Sequence, residues 1–256
     1  MLDIKNILEE YPPELRGVPR FLYKEYLQYK ILGIVFRHKL GRKLSFLGGT
    51  VLRIVHNNTR FSEDLDFDNF GLKLPEFSAI ASSVKKELEE EGFLVETRIV
   101  SKGAFRCYVR FPEILQKYGL AVAKEEKILI QIDTAAHGMK YEPDIHLLNK
   151  FDVFREIRVT PPDVILSQKI FAIFNRKRSL GRDFFDVVFL LSKTKPNFKY
   201  LKAKTGIATI PALKKKLLQK CEGLDFQILA RDVEPFLFDR NDREKVLKFK
   251  KVIESL

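Results

Sequence analysis

The segment that most constrains the fold lies at residues 46–68, where an apolar stretch meets two glycines before a helix-like pattern. Residues 44–47 predict a short buried strand, and residues 51–56 predict a helix that begins close to Thr50. The intervening Gly-Gly allows the backbone to approach a ligand closely, and free N–H groups at a helix N-terminus attract anions. This turn alone leaves two readings open, an ordinary strand-to-helix connection and a phosphate-binding loop.

Two aspartates follow the glycines on a second predicted strand. Asp64 and Asp66 are two residues apart, and side chains with that spacing project from the same face of a strand. Paired carboxylates repel each other unless a cation lies between them. Mg²⁺ suits them, because it binds one or two carboxylates together with substrate phosphates. Asp68 continues this face, and it either joins the site or forms the solvated end of the strand.

The remaining pattern predicts an α+β part followed by a mostly helical part. In the first part we expect helices at 19–39 and 75–92, a hairpin of 93–100 with 104–111, and a strand at 127–134. The pattern turns helical after about residue 155, with helices at 162–178, 182–194, 210–221 and 241–255. We therefore predict two domains, residues 1–155 and residues 156–256.

The positive charge is concentrated in the second part. The net charge is +12, of which residues 1–155 contribute +2 and residues 156–256 contribute +10. No acidic residue lies between Asp186 and Glu222, whereas nine lysines lie between Lys193 and Lys220. Such a field attracts polyanions. An RNA-binding face and a solvated lysine-rich surface are both compatible with it.

Several classes of protein are excluded by composition. No apolar run approaches the roughly 18 residues that cross a bilayer, and the N-terminal segment lacks the apolar core of a signal peptide. Cys107 and Cys221 are too few for a disulfide framework, and with His56 and His137 they show no metal-ligand spacing. We expect a cytoplasmic protein that does not associate with a membrane.

The glycine and aspartate motifs together resemble a known superfamily. Gly48-Gly49-Thr50, followed after thirteen residues by Asp64 and Asp66, resembles motif one of the nucleotidyltransferases. More narrowly, GGTVLR…RFSEDLDFD resembles the AbiEii/AbiGii toxin family of type IV toxin–antitoxin systems, to which the mycobacterial MenT toxins are related. The resemblance covers residues 20–200. It implies a nucleotidyltransferase-type mixed β-sheet domain with flanking helices, followed by a helical C-terminal domain.

The resemblance extends into the second part of the chain. Lys169 on one predicted helix and the Arg182-Asp183-Phe184-Phe185-Asp186 element of the next match the family pattern. The resemblance implies that Lys169 contacts the nucleotide triphosphate and that Asp186 is catalytic. By spacing alone, Arg182 and Asp186 would form an ion pair on the helix surface, worth about 0.3–0.5 kcal/mol.

Three further positions carry alternatives. The superfamily has an acidic residue on a neighbouring strand, and either Gln131 or Asp133 of this chain occupies that place. Ser62 binds a phosphate, is a target of self-modification, or simply caps the turn. Arg53 reaches a phosphate or pairs with Glu63, and we favour the pairing.

The resemblance implies an Mg²⁺-dependent transfer of a nucleoside monophosphate from an NTP to an RNA, most simply the 3′ end of tRNA, which would inhibit translation. Asp64, Asp66 and Asp133 would bind the metal, whereas Gly48, Gly49, Thr50, Ser62 and Lys169 would bind the nucleotide. An AbiEi-type antitoxin is an expected partner. The candidate RNA contacts are Lys199, Lys202, Lys204, Lys214, Lys215 and Lys216.

Two other functions use the same residues. A nucleotidyltransferase that modifies a small molecule such as an aminoglycoside would keep this active site but would need no basic RNA face. A nucleotide-binding protein that senses without transfer, or a phosphoryl-transfer enzyme, could use the same pocket. The intact glycine turn and the paired aspartates favour an active transferase over either of the latter.

Overall fold

The computed structural model describes residues 1–121, 123 and 125–256. The chain forms two compact units, Met1–His56 with Phe61–Thr160, and Asn57–Arg60 with Pro161–Leu256. The division is discontinuous, because a four-residue segment of the second unit lies in the sequence between elements of the first.

The first unit combines a sheet with helices. Over the described residues its helices are α1 Ile4–Glu9, α2 Pro19–Arg37, α3 Gly48–Ile54, α4 Leu74–Glu90 and α5 Ile114–Lys117, with 3₁₀ turns at Pro13–Leu15 and Lys39–Lys43. The strands described there are β1 Leu44–Leu47, β2 Leu65–Asn69, β3 Glu96–Ser101, β4 Phe105–Phe111, β5 Ile128–Ala135, β6 Asp144–Lys150 and β7 Val153–Val159.

The described strands form one mixed sheet in the order β3-β4-β5-β2-β1-β7-β6. β2 is antiparallel to β1 and parallel to β5, and β1 is parallel to β7. The two outer groups, β3-β4-β5 and β7-β6, are antiparallel. β2 therefore lies between the strand that leads into the glycine turn and β5.

Aromatic packing decides which face of β1 and β2 is covered. Phe46 of β1 and Phe67 of β2 lie 5.6 Å apart between ring centroids, and Phe36 of α2 lies 5.9 Å from Phe67. The rings of Phe46 and Phe67 lie on the face of the sheet opposite Asp66 and Asp68, because successive side chains of a strand point to opposite faces. Helix α2 thus buries the apolar face, and the carboxylates project from the other face.

The hairpin β6-β7 is absent from our predictions, and the pattern turns helical after Val159 rather than near residue 155. Its strands lack a simple apolar alternation, since Ile145, Leu147 and Phe154 are exposed. An edge hairpin with apolar side chains towards solvent gives the periodicity argument little to detect.

The second unit is helical over the described residues. Its helices are α6 Pro162–Asn175, α7 Gly181–Leu191, α8 Phe198–Thr205, α9 Ile210–Cys221, α10 Phe226–Val233, α11 Glu244–Leu247 and α12 Phe249–Glu254, with 3₁₀ turns at Glu234–Phe236 and Arg240–Arg243. A Cβ at residue 181 would lie 1.8 Å from the Leu229 carbonyl oxygen, so Gly181 permits close packing of α7 on α10. The helix predicted at 241–255 is divided into a 3₁₀ turn, α11 and α12.

The predicted fold class is confirmed: a mixed sheet with flanking helices is followed by a helical part. Among the described residues, no helix has both the length and the apolar character that crossing a lipid bilayer requires.

Candidate active site

The turn between β1 and α3 is in contact with the side chain of Asp66. Gly48 begins α3 with a φ of +83°, and a Cβ built on it would lie 2.2 Å from Asp66 Oδ2. Glycine therefore serves here in two ways, because it adopts the left-handed backbone and leaves room for the carboxylate. The register explains the approach, since Leu47 pairs with Asp66 across β1 and β2.

Asp64 lies immediately before β2 and is fixed by β5. Its carboxylate accepts hydrogen bonds from the Gln131 backbone N–H at 3.2 Å and from the Gln131 side-chain amide at 3.3 Å. The Thr50 hydroxyl donates to the Asp64 carbonyl oxygen. Burial raises the pKa of Asp64, although the Gln131 N–H and the Lys24 ammonium oppose that shift. Gln131 thus orients Asp64.

Asp133 is the carboxylate that lies beside Asp66. The two residues are register partners in the parallel pair β2-β5, so their side chains share a face. Arg106 of β4 holds Asp133 through two hydrogen bonds, Nε to Oδ1 at 2.6 Å and Nη2 to Oδ2 at 2.8 Å. The pair lies partly in solvent, because the side chains of Arg106 and Asp133 are 45% and 27% exposed.

Asp68 follows neither of the two expectations stated for it. It is not a solvated strand end, because it is 1% exposed. Its oxygens accept hydrogen bonds from the His137 backbone N–H at 3.0 Å and from the Tyr141 hydroxyl at 2.9 Å. Tyr141 also contacts Thr160, whose hydroxyl lies 3.0 Å from that of Ser45. Asp68 is therefore part of a buried polar cluster.

The carboxylates fit a divalent ion that arrives with a nucleotide. Within the described part of the chain, no three His, Cys, Asp or Glu side chains form a ready-made metal site. Asp66 supplies hard oxygen ligands beside the Gly48 turn, and Asp64 supplies them at the end of β2 where Gln131 holds its carboxylate. Because Mg²⁺ is commonly bound through one or two carboxylates plus phosphates, this donor set fits that ion.

The pairing of Arg53 with Glu63 is wrong. Arg53 donates from Nε and Nη2 to the buried Glu25 carboxylate of α2, at 2.7 and 3.1 Å. Glu63 instead pairs with Lys24 at 3.1 Å. Ser62 lies between these groups in the sequence, and its carbonyl oxygen accepts a hydrogen bond from Gln28 at 2.9 Å. Arg53 therefore connects α3 to α2.

In the second unit, Asp186 lies in a buried ion network. It is 0% exposed, and Arg60 donates to its two oxygens from Nε at 2.7 Å and from Nη2 at 2.6 Å. Asn58 donates at 3.0 Å, and the Lys169 ammonium lies at 2.9 Å. Burial alone raises the pKa of Asp186, but Arg60 and Lys169 outweigh it and hold the pKa below its usual range. This network replaces the helix-surface ion pair that spacing alone indicates.

Lys169 is held between two carboxylates of α7. Its ammonium lies 2.9 Å from Asp186 and 3.4 Å from Asp183, and its side chain is 13% exposed. Asp183 also contacts Arg176, at 2.7 Å. The structure therefore brings Lys169 and Asp186 together.

Arg60 belongs to this network although the sequence pattern does not single it out. The segment Asn57–Arg60 is fixed within the second unit by backbone contacts as well: Arg60 forms a β-bridge with Leu237, and the Phe238 N–H donates to the Thr59 carbonyl at 3.1 Å. A lone arginine between Thr59 and Phe61 gives no periodic signal. Only its carboxylate partner, 126 residues further along the chain, reveals its role.

The candidate RNA lysines lie on α8 and α9. No carboxylate lies within ion-pair distance of these side chains among the described residues. Those at 199, 202, 204, 215 and 216 are exposed, and Lys214 is half-buried and donates to the Glu254 carbonyl.

Both cysteines are buried, and burial raises the pKa of the Cys107 and Cys221 thiols to about 11.

The mixed sheet presents the Asp66 carboxylate beside the glycine turn that follows β1. Two solved structures share this fold. One, described as a nucleotidyltransferase from H. pylori, has a TM-score of 0.60 and 18% sequence identity, and the match covers 91% of this chain and 93% of that one. The other, JHP933 from Helicobacter pylori, has a TM-score of 0.56 and 17% identity, with 92% and 90% covered.

The sequence itself matches the profile of the nucleotidyl transferase AbiEii toxin, Type IV TA system, over residues 31–255. The chain belongs to this family, as the motifs at 48–50 and 64–66 predict, and it is a nucleotidyltransferase. A comparison with curated protein sequences gives no match.

Proposed function

We propose that this toxin-family enzyme transfers a nucleoside monophosphate from an NTP to the 3′ end of an RNA, with tRNA as the acceptor, and thereby inhibits translation. The observation that carries the proposal is the contact between the Asp66 carboxylate and the Gly48 turn. It brings the carboxylates of β2 next to glycine backbone that phosphates can approach closely.

In this proposal Gly48, Gly49, Thr50 and Ser62 bind the β- and γ-phosphates. Asp64 and Asp66 would hold Mg²⁺, which would supply charge neutralisation and polarisation of the phosphoryl oxygens. Asp133 would be a further ligand of the metal, in place of its present contact with Arg106. The exposed character of the Arg106–Asp133 pair supports that exchange.

The transfer is an in-line displacement. The acceptor hydroxyl oxygen attacks the α-phosphorus, and a new bond forms between these two atoms. The bond from the α-phosphorus to the oxygen that bridges it to the β-phosphate breaks, pyrophosphate leaves, and the hydroxyl proton passes to water. The protein contributes chiefly by positioning the reactants and by neutralising charge.

Lys169 neutralises the leaving pyrophosphate in this scheme, and Asp186 supports it. The carboxylate of Asp186 is enclosed by Arg60, Asn58 and Lys169. A residue so enclosed acts through its partners, so we propose that Asp186 positions Lys169 and the segment of Arg60.

Charge and family membership support the proposed acceptor and partners. The exposed lysines of α8 and α9 suit an RNA phosphate backbone, because no carboxylate of the described residues neutralises them. Membership of a type IV toxin–antitoxin family supports an AbiEi-type antitoxin as the partner and the cytoplasm as the site of action.

A transfer assay with each radiolabelled NTP and total tRNA tests the proposal. We expect labelled RNA with the wild type, and a loss of about 100-fold or more with Asp64→Ala, Asp66→Ala or Lys169→Ala, because charge stabilisation of the transition state is removed. Asp144→Ala, which removes an exposed aspartate at the start of β6, is the control and keeps activity. EDTA should stop the reaction.

Two outcomes would contradict it. Labelling that persists in Asp66→Ala with an intact circular dichroism spectrum would remove the β2 carboxylates from the reaction. Labelling of an aminoglycoside but of no RNA would make the acceptor a small molecule.

A further inference from the structure

A pocket of about 690 Å³ lies beside Asp64 in the first unit. Its size falls within the roughly 300–1,000 Å³ of pockets that bind small molecules, and it can therefore hold a nucleotide. The start of α2, the region after β4 and the first half of β5 line it, and Asp64 and Gln131 line one part of its wall. We call it the Asp64 pocket.

The Asp64 pocket lies on the β5 side of β2. In the sheet order β5-β2-β1, the carboxylates of β2 separate β5 from the glycine turn that follows β1. Leu129 and Gln131 of β5 line the pocket, whereas Gly48 contacts Asp66 from the β1 side. A triphosphate at the glycine turn and a molecule in the Asp64 pocket would therefore meet at the carboxylates from opposite sides.

Much of the lining is apolar. Phe21, Leu115, Leu120, Ile128 and Leu129 contribute to it. Such surfaces favour a planar, weakly polar group such as a nucleobase, and a sugar hydroxyl attached to it can reach Asp64.

The charges on the wall favour a phosphorylated ligand. Three cations, Arg20, Lys24 and Lys127, line the pocket, against the carboxylates of Glu63 and Asp64. Arg20 and Lys127 are themselves exposed, and their partners are surface glutamates. Surface ion pairs contribute only about 0–1 kcal/mol, so a phosphate can take the place of the glutamates. A polycationic acceptor such as an aminoglycoside would meet three like charges.

We infer that the Asp64 pocket binds the terminal nucleotide of the acceptor RNA, an inference that rests on the proposed transferase function. The base packs on the apolar lining, the last phosphates of the strand approach Arg20 and Lys127, and the terminal hydroxyl faces Asp64. From there the hydroxyl oxygen forms its bond to the α-phosphorus of the NTP, pyrophosphate leaves as the α–β bridge breaks, and the hydroxyl proton passes to water.

Filling the pocket tests the inference. Leu129→Trp places a large ring in it, and Ile99→Trp, a change of the same kind at a half-exposed position of β3 outside the pocket, is the control. We expect Leu129→Trp to raise KM for an oligoribonucleotide about tenfold or more, with the Kd for the NTP unchanged, whereas Ile99→Trp alters neither. An unchanged KM for the RNA in Leu129→Trp, or weaker binding of the NTP by that variant, would overturn the inference.

A second measurement asks whether the pocket receives the terminal base. The wild type and Leu129→Trp are each assayed with oligoribonucleotides that end in a normal or in an abasic 3′ nucleotide. Loss of the base should raise KM strongly for the wild type and little for Leu129→Trp, because the two changes remove the same contact. Equal effects in the two proteins would place the terminal base elsewhere.

Failure of the proposed function can be distinguished from failure of this inference. If the wild type labels no RNA, the transferase proposal fails, and the pocket is judged by fluorescence anisotropy with the same oligonucleotide. Binding that is lost in Leu129→Trp and kept in Ile99→Trp supports the pocket, and equal binding by both variants overturns it.

Discussion

At the scale of single residues, the site depends on one position without a side chain. Gly48 combines a positive φ with a direct approach by Asp66. Any larger residue must satisfy both constraints at once. Gly71 offers a natural comparison, because it has a similar φ of +85° but open space around its Cα.

We predict that Gly48→Ala abolishes nucleotidyl transfer, because the new methyl group displaces the Asp66 carboxylate. Gly71→Ala carries the same backbone strain, about 1–3 kcal/mol, without that displacement. Urea unfolding should therefore show destabilisation in both variants, and the transfer assay should separate them. Similar activity in the two alanine variants would show that contact with the turn is dispensable.

The site residues that could be predicted from the sequence are those whose contacts lie close together in the sequence. The approach of Asp66 to the glycine turn involves neighbouring strands of one short segment, and the turn itself follows from its neighbours in sequence. Partner choice could not be predicted in the same way. Arg53 selects Glu25, 28 residues away, over the nearer Glu63, and Arg60 selects a carboxylate on α7.

At the scale of elements, helices α6 and α7 are joined by charge as well as by apolar packing. Lys169 of α6 contacts Asp183 and Asp186 of α7, and the second of these also binds Arg60. The two acids differ in surroundings. Asp186 and Arg60 are both fully enclosed, whereas Arg176, the arginine that contacts Asp183, is 44% exposed.

We predict that Asp186→Asn lowers the free energy of unfolding by about 3–5 kcal/mol, because it leaves a buried guanidinium without its counter-charge. Asp183→Asn on the same helix is the control, and it should cost less, since Arg176 can turn to water. Urea titration at pH 7 measures both. Equal losses would show that burial of the arginine is not the deciding factor.

The pH dependence gives a check on the same pair. The pKa of Asp186 is lowered in the folded protein, so its contribution is fully present above the usual carboxyl pKa of about 3.9 and is lost as the pH falls towards the folded value. The stability difference between wild type and Asp186→Asn should therefore shrink on acidification below about pH 4. A constant difference would contradict the ionic origin.

Elements with strong periodicity or clear boundaries were predictable, and others were not. Helix α2 begins at Pro19 as expected, and α4 and the β3-β4 hairpin follow their patterns. The β6-β7 hairpin was missed because three of its apolar residues, Ile145, Leu147 and Phe154, are exposed, so its apolar positions do not mark one buried face. The eight-residue helices α8 and α10 were missed because two turns are too short for a periodic signal.

At the scale of the whole molecule, the charge is unevenly distributed along the chain. Lysines without nearby carboxylates are concentrated on α8 and α9, and elsewhere several exposed lysines have an acid four residues away. Lys85, Lys86 and Lys248 are of the second kind. Variants of the two sets therefore separate the effect of the local electrostatic field on tRNA binding from the effect of the net charge.

We predict that tRNA affinity falls steeply with salt, and that replacing Lys214, Lys215 and Lys216 with alanine flattens this dependence. Each lost phosphate contact should reduce the logarithmic slope by about 0.7–0.9, because fewer counterions are released. The control replaces Lys85, Lys86 and Lys248, which changes net charge equally. Equal slopes in the two triple variants would show that the lysines of α8 and α9 form a solvated surface that does not contact RNA.

The discontinuous segment has a consequence for biosynthesis. Residues 57–60 leave the ribosome long before α7 and the stretch around residue 238 that they contact. The Arg60 guanidinium must therefore stay hydrated, or be shielded by a chaperone, until Asp186 and the stretch around residue 238 have been translated. Cleavage at residue 160 would likewise yield a C-terminal fragment whose Asp186 has lost its guanidinium.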